Sequence, residues 1–173
     1  MGASEAVVAK NTASQRELFP RLKLATNQAA AEALVRETTL RQVAGLTEAQ
    51  KQAAGVTDAL LENQIQSAST PWFRTLLAYD PNPVLKQVRC PVLALNGSKD
   101  IQVASAVNLA GIRQALEAGG NTRFKAVELP GLNHLFQNCA TGAISEYGQI
   151  EETMAPEVLR LVSEWIREQK AEN

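Results

Sequence analysis

Apolar residues in the first 70 positions form narrow stripes among Ala, Glu, Gln, Leu and Arg, which are good helix formers. These stripes predict helices at about residues 4–24, 28–44, 48–54 and 57–68. A capping box, Thr47-Glu-Ala-Gln50, precedes the third helix, and each of its end residues can bind the backbone N–H of the other. A further helix is expected to open at Pro71, with Thr70 as its cap.

The pattern changes near residue 71 and becomes that of strands alternating with helices. Cys90–Gly97 is a continuous apolar run closed by Asn-Gly, which is typical of a buried parallel strand. A helix at about 104–118 and a second strand at Arg123–Pro130 follow it. A last helix opens at Pro156, and its inward-facing positions are predicted to be Val158, Leu161, Val162, Trp165 and Ile166. This order predicts an α/β fold with a βαβα unit and two parallel strands.

Charge and composition exclude several classes of protein. The 17 basic and 18 acidic residues leave a net charge of −1, and no basic stripe indicates a nucleic-acid partner. No apolar run is long enough to span a membrane, and the first residues lack the features of a signal peptide, so a cytoplasmic location is expected. One histidine and two scattered cysteines, Cys90 and Cys139, are too few for a structural zinc site or a disulfide framework. We expect neither a metal nor an organic cofactor.

The candidate chemistry lies in the loops that follow the two predicted strands. Ligands of open α/β sheets bind beyond the carboxyl ends of the strands, and both loops leave the same edge if the strands are parallel neighbours. Asp100 follows the first strand, and His134, the only histidine of the chain, follows the second. We therefore expect Asp100 and His134 to be neighbours, with the carboxylate holding the imidazole in the tautomer that acts as a base.

Other interpretations of the candidate residues stay open. Asp100 can instead cap the helix that follows it, and an isolated loop histidine is more often a surface or hydrogen-bonded residue than a base. Trp72 and Phe73 are candidate substrate-binding residues that would line an acyl pocket, although such a cluster more often belongs to a core. Asn133, beside the histidine, is expected to serve the turn.

The stretch CPVLALNGSKDIQV is followed by a helix, by VELPGLNHLF and by a closing helix that contains VLRLVSEWI. In combination these segments, over about residues 80–170, resemble the C-terminal part of an α/β-hydrolase of the esterase or serine-peptidase kind. The resemblance implies that Asp100 is the acid and His134 the base of a Ser-Asp-His triad. It also implies that residues 1–70 are a helical cap or lid, that 71–173 belong to the core, and that a small-molecule acyl substrate is hydrolysed.

The chain departs from that family at the nucleophile. Family members carry a serine in a G-x-S-x-G turn before the acid and the histidine, and no such motif occurs here. Ser98 lies in the acid loop, Cys90 is at the wrong end of its strand, and Cys139 is expected to be a bystander. The resemblance therefore implies an incomplete α/β-hydrolase fold whose nucleophile precedes residue 1, so that this chain alone is expected to be inactive.

Two parallel strands leave a sheet edge uncovered. A two-stranded sheet is not independently stable, and a parallel pair needs cover on both faces. We therefore expect self-association, strand exchange or pairing with a missing N-terminal segment. A function of another class stays open as well, namely a non-catalytic interaction or oligomerisation module derived from the same fold.

Overall fold

The computed structural model describes residues 5–53 and 55–171. The chain divides into two compact units, a first unit that ends at Tyr79 and a second unit that starts at Asp80. The pattern of residues predicted a boundary between residues 70 and 71, whereas the chain divides between residues 79 and 80. The helix over Pro71–Ala78 belongs to the first unit because it packs against two other helices of that unit.

The described part of the first unit consists of helices and their connections. Their bounds are α1 Glu5–Lys23, α2 Gln28–Val43, α3 Glu48–Ala53, α4 Asp58–Ser69 and α5 Pro71–Ala78. The predicted capping box is confirmed, because the Thr47 N–H donates to Gln50 Oε1 at 2.9 Å and the Gln50 N–H donates to Thr47 Oγ1 at 3.3 Å. Thr70 caps α5, as predicted, by accepting a hydrogen bond from the Phe73 N–H.

The narrow apolar stripes of these helices meet in one small core. Its buried side chains are Leu18, Leu22, Ala31, Val35 and Ile65. Phe73 of α5 packs against this cluster and meets Phe19 edge to face, with ring centroids 6.2 Å apart. The apolar stripes of α1, α2, α4 and α5 thus contribute to one core, whereas none of the described residues of α3 is buried.

The second unit is built around a parallel pair of strands. Its elements are α6 Asn82–Leu85, β1 Val92–Gly97, α7 Ser105–Ala118, β2 Phe124–Leu129, a 3-10 helix at Ile144–Gln149 and α8 Pro156–Ala171. The strands pair in register from Val92 opposite Phe124 to Gly97 opposite Leu129. The predicted α/β arrangement, in which a helix joins two parallel strands, is confirmed for the order of the elements and the direction of the strands. The helix α6 and the 3-10 helix were not predicted, because they are too short to show a periodicity and, unlike the similarly short α3, have no side-chain cap that marks their start.

Helices cover the two faces of the strand pair. Arg113 of α7 lies over the Phe124 ring, 5.8 Å from its centroid, on one face. Leu95 and Leu129 belong to the other face, because side chains alternate along a strand. They pack with α8 and with the buried residue Leu132 in the core of this unit.

The apolar run of β1 is only half-buried. It predicted a strand in the interior of a sheet, but in the described residues β1 pairs with β2 alone, so its other edge is open. An apolar groove of about 490 Å³ is lined there by residues of β1 and α8. Ile166 lines this groove beside Val162 and Trp165, on the side of α8 that was predicted to face inward, but the residue stays 47% exposed because the groove is open.

Candidate functional site

Asp100 and His134 are in contact at the carboxyl edge of the strand pair. His134 Nδ1 and Asp100 Oδ2 are 2.9 Å apart, which is hydrogen-bond distance. Asp100 belongs to the loop after β1 and His134 to the loop after β2, and the two strands end opposite each other. The predicted proximity of the two side chains is therefore confirmed, and the parallel pairing explains how residues 34 positions apart meet.

The Asp100 carboxylate is buried and held by four hydrogen bonds. Its side chain is 5% exposed. Oδ1 accepts from the backbone N–H groups of Gln102 and Val103, each at 2.9 Å. Oδ2 accepts from Asn96 Nδ2 at 3.1 Å and pairs with His134. Both oxygens are thus occupied, which limits the rotation of the carboxylate.

The environment of Asp100 keeps its carboxyl group ionised. Burial is the largest single effect and raises the pKa, because it disfavours the charged form. The hydrogen bond with His134, those from the Val103 and Gln102 N–H groups and the charge of the imidazole together outweigh burial, so the pKa of Asp100 is lowered. At neutral pH the group is therefore a carboxylate that accepts hydrogen bonds.

The alternative reading of Asp100 as a helix cap does not match the structure. The helix α7 begins at Ser105, its cap residue is Ala104, and no side chain caps it. Asp100 instead closes the turn before the helix, through the N–H groups of Gln102 and Val103. Oδ1 thus accepts hydrogen bonds from the backbone of the turn, while Oδ2 is hydrogen-bonded to His134.

The imidazole of His134 is exposed on the side away from Asp100. The side chain is 39% exposed, and within the described residues Nε2 has no hydrogen-bond partner. An ionised carboxylate only accepts hydrogen bonds, so Nδ1 must carry the proton that joins the pair. In the neutral ring Nε2 then holds a lone pair that faces solvent, and this atom is able to take up a proton from a reactant.

A buried asparagine shapes the loop that carries His134. Asn133 is fully buried, and its Oδ1 accepts from the N–H groups of Leu135 and Gln137 at 2.9 and 3.0 Å. Its Nδ2 donates to Gln137 Oε1 at 2.9 Å. The prediction that Asn133 serves the turn is confirmed, and these bonds determine where the neighbouring imidazole lies.

Two further residues of the site were missed by sequence reasoning. Gly97 allows the histidine loop to approach, because a Cβ at this position would lie 2.2 Å from the Leu132 carbonyl oxygen. Asn96 donates directly to Asp100, and its side chain is buried. The Asn-Gly pair at the end of the apolar run is the available signal, but this pattern by itself indicates only where a strand ends.

The predicted substrate-binding residues belong to the first unit. Trp72 is 70% exposed on the surface of that unit. Phe73 packs into its core and borders a cavity of about 270 Å³ together with Leu18, Phe19 and Val35. The core interpretation therefore applies to Phe73, and a role in substrate binding stays a prediction for both residues.

The serine and the cysteine nearest the pair in sequence have other partners. Ser98 Oγ accepts a hydrogen bond from the Gly131 N–H at 2.9 Å. Cys139 Sγ lies 3.4 Å from the Gly131 carbonyl oxygen, to which it donates. Cys90 is an exposed free thiol. In the described part of the chain, then, none of these groups is hydrogen-bonded to His134.

Residues 5–53 and 55–171 contain no helix with both the length and the apolar character needed to cross a membrane. They also contain no group of three or more His, Cys, Asp or Glu side chains placed to hold a metal ion.

No protein-family model, no curated protein and no solved structure matches the chain.

Proposed function

We propose that Asp100 and His134 are the acid–base pair of a serine-type hydrolase that cleaves a carboxylic ester or a related acyl bond. The 2.9 Å contact between a buried, ionised carboxylate and an exposed imidazole is the observation that best supports this function. In such a mechanism the carboxylate orients the ring and stabilises the imidazolium, while Nε2 takes a proton from the attacking hydroxyl group. Nε2 then returns that proton to the leaving group, and the acyl group is transferred.

The nucleophile of this mechanism is assigned to a segment other than residues 5–53 and 55–171. The attacking hydroxyl has to donate to His134 Nε2, which has no partner in those residues. Ser98 Oγ accepts from the Gly131 N–H and is not hydrogen-bonded to His134 in the described residues. The pair thus supplies proton transfer, and the bond-forming oxygen comes from elsewhere.

The reactivity of the free imidazole tests this function on the chain itself. Hydrolysis of p-nitrophenyl acetate is measured for the wild-type chain and for the variants His134→Ala and Asp100→Asn. Asp58→Asn makes the same chemical change in the first unit and serves as the control. The chain lacks the nucleophile of the full mechanism, but an exposed imidazole attacks this activated ester by itself. We expect the wild-type chain and the control to exceed His134→Ala, with Asp100→Asn between them because it keeps the imidazole and removes the carboxylate that orients it. Equal rates for the wild-type chain and His134→Ala would contradict the role of His134.

A fluorophosphonate probe tests where the nucleophile lies. We expect no covalent labelling of this chain, because no hydroxyl is hydrogen-bonded to His134 Nε2 in the described residues. A stoichiometric adduct on one serine would show that the nucleophile belongs to this chain. It would refute the assignment to another segment while supporting the hydrolase chemistry.

A second function, of a different class, is supported by the open edge of β1. Unpaired strand edges template pairing with another strand, and the apolar groove beside this edge would be covered by the pairing. The protein would then be a non-catalytic oligomerisation module in which β1 meets a strand of a second copy. The molar mass in solution distinguishes the two functions, together with the absence of His134-dependent hydrolysis.

A further inference from the structure

We propose that Asn96 is a positioning residue of this site, which holds the carboxylate oxygen of Asp100 that His134 uses. Its catalytic relevance rests on the acid–base function proposed above, whereas its effect on the geometry of the pair does not. Neither the strand pattern nor the triad resemblance assigns a role to Asn96.

The buried side chain of Asn96 connects two residues of the loop after β1, Asp100 and Val103, by hydrogen bonds. Asn96 lies on β1 and is 7% exposed. Its Nδ2 donates to Asp100 Oδ2 at 3.1 Å and to the Val103 carbonyl oxygen at 3.2 Å. Asp100 Oδ2 is the same atom that contacts His134 Nδ1. The Asn96 amide therefore donates to the same carboxylate oxygen that contacts the imidazole. Because it also donates to Val103, it links that oxygen to the backbone of the turn.

The orientation of the Asn96 amide follows from its surroundings. The groups within reach of Nδ2 are Asp100 Oδ2 and the carbonyl oxygens of Val103 and Gly97, all of which are acceptors. A flipped amide would place its own oxygen against three acceptors, which is repulsive. A polar side chain buried at the end of an apolar strand also costs free energy unless it is bonded. Both considerations favour the NH2 group facing Asp100.

The two oxygens of Asp100 are held by different groups. The backbone N–H groups of Gln102 and Val103 hold Oδ1, which fixes one side of the carboxylate. Without Asn96, His134 would be the one remaining donor to Oδ2 among the described residues, and the carboxylate would be able to swing about the held oxygen. Asn96 is thus the group that keeps Oδ2 in line with Nδ1.

Other charged groups near these loops are engaged elsewhere. Lys99 Nζ donates to the carbonyl oxygens of Cys139 and Ala140. Glu146 accepts from backbone N–H groups of residues 141–142, and Glu152 accepts from Asn138. Asn96 and the backbone of the turn are therefore the groups that compete with His134 for the carboxylate.

The test compares Asn96→Leu, which removes the donors at similar volume, with Asn96→Ser, which keeps one O–H donor. Carboxyl ¹³C NMR follows the titration of Asp100, with Asp58 and Asp80 as internal references for the folded protein. Imidazole ¹⁵N shifts report which nitrogen of the single histidine is protonated. We expect Asn96→Leu to raise the pKa of Asp100 and to lower the fraction of the Nδ1–H tautomer, with Asn96→Ser between Asn96→Leu and the wild type.

A folded Asn96→Leu variant with the wild-type Asp100 titration and tautomer ratio would overturn the proposal, even if its stability were lower. If Asn96→Leu does not fold, wild-type values in Asn96→Ser would overturn it equally. These spectra do not depend on turnover. Near-normal kcat for His134→Ala in a polypeptide that combines these residues with a serine nucleophile would contradict the proposed function, while the role of Asn96 in the pair remained measurable.

Discussion

Gly97 lies against the carbonyl oxygen of Leu132, so closely that a Cβ at Gly97 would be 2.2 Å from that oxygen. The contact joins the end of β1 to the loop that carries His134. It is reinforced on the same loops by the Lys99 N–H, which donates to the same Leu132 oxygen at 3.0 Å. The absence of a side chain at Gly97 therefore sets the distance between the acid loop and the histidine loop.

Gly97→Ala is expected to force these loops apart, because backbone atoms cannot yield as a flexible side chain would. Overpacking of this kind costs about 1–3 kcal/mol in the free energy of unfolding. Urea denaturation measures the loss, and the Nδ1–H tautomer fraction of His134 should fall with it. Gly111→Ala on α7 is the matched control, since a Cβ there meets nothing within 4 Å. Equal stability of the two alanine variants would refute the close-approach explanation.

Asn133→Ala is expected to destabilise the second unit. It removes two acceptor contacts and one donor contact inside a fully buried site. Leaving buried N–H groups unpaired costs about 1–3 kcal/mol in the free energy of unfolding. Denaturation of Asn108→Ala, an exposed position on α7 that bonds one carbonyl oxygen, provides the comparison. A loss for Asn133→Ala no greater than that for Asn108→Ala would show that the loop does not depend on Asn133.

The stabilising effect of Asp100 should depend on pH. Its pKa is lowered in the folded protein, so its contribution to stability is present above the pKa of the unfolded chain, about 3.9, and is lost as the pH falls through the folded pKa. The difference in unfolding free energy between the wild type and Asp100→Asn should therefore shrink as the pH falls below about 4. Asp80→Asn, at an exposed position, is the control. A difference that stays constant from pH 5 to pH 3 would contradict the lowered pKa.

Catalysis provides a separate prediction for any polypeptide that combines these residues with a serine nucleophile. Loss of the orienting carboxylate in a Ser-His-Asp triad lowers turnover about 10⁴-fold. We expect Asp100→Asn and His134→Ala each to reduce kcat on acyl esters on this scale, with a smaller change in KM. Near-normal kcat in either variant would remove the catalytic assignment of that residue.

The open edge of β1 leads to a prediction about association. Leu93 lines the apolar groove, and a lysine there would place a charge where a second strand would pack. Light scattering over a concentration series should show a dimer for the wild type and a monomer for Leu93→Lys. Leu159→Lys, at an exposed position of α8 that does not line the groove, should leave the dimer intact. A wild-type monomer at every concentration would refute pairing at this edge.

Local rules were sufficient for much of the fold and for the two central residues of the site. Caps such as Thr47 and Thr70 act within one helical turn, so their hydrogen bonds can be predicted from three or four residues of sequence. The contact of Asp100 with His134 was also predictable, because it depends only on two strands being parallel neighbours.

The sequence by itself therefore determined the longer helices, the two strands and the pairing of the single histidine with its aspartate. Tertiary structure alone decided that Asn96 reaches the Asp100 carboxylate, that Gly97 must lack a side chain and that β1 stays half-buried. The physical reason is distance along the chain. These features depend on how closely two loops and a helix approach a strand in space, and no local pattern of polar and apolar residues records that separation.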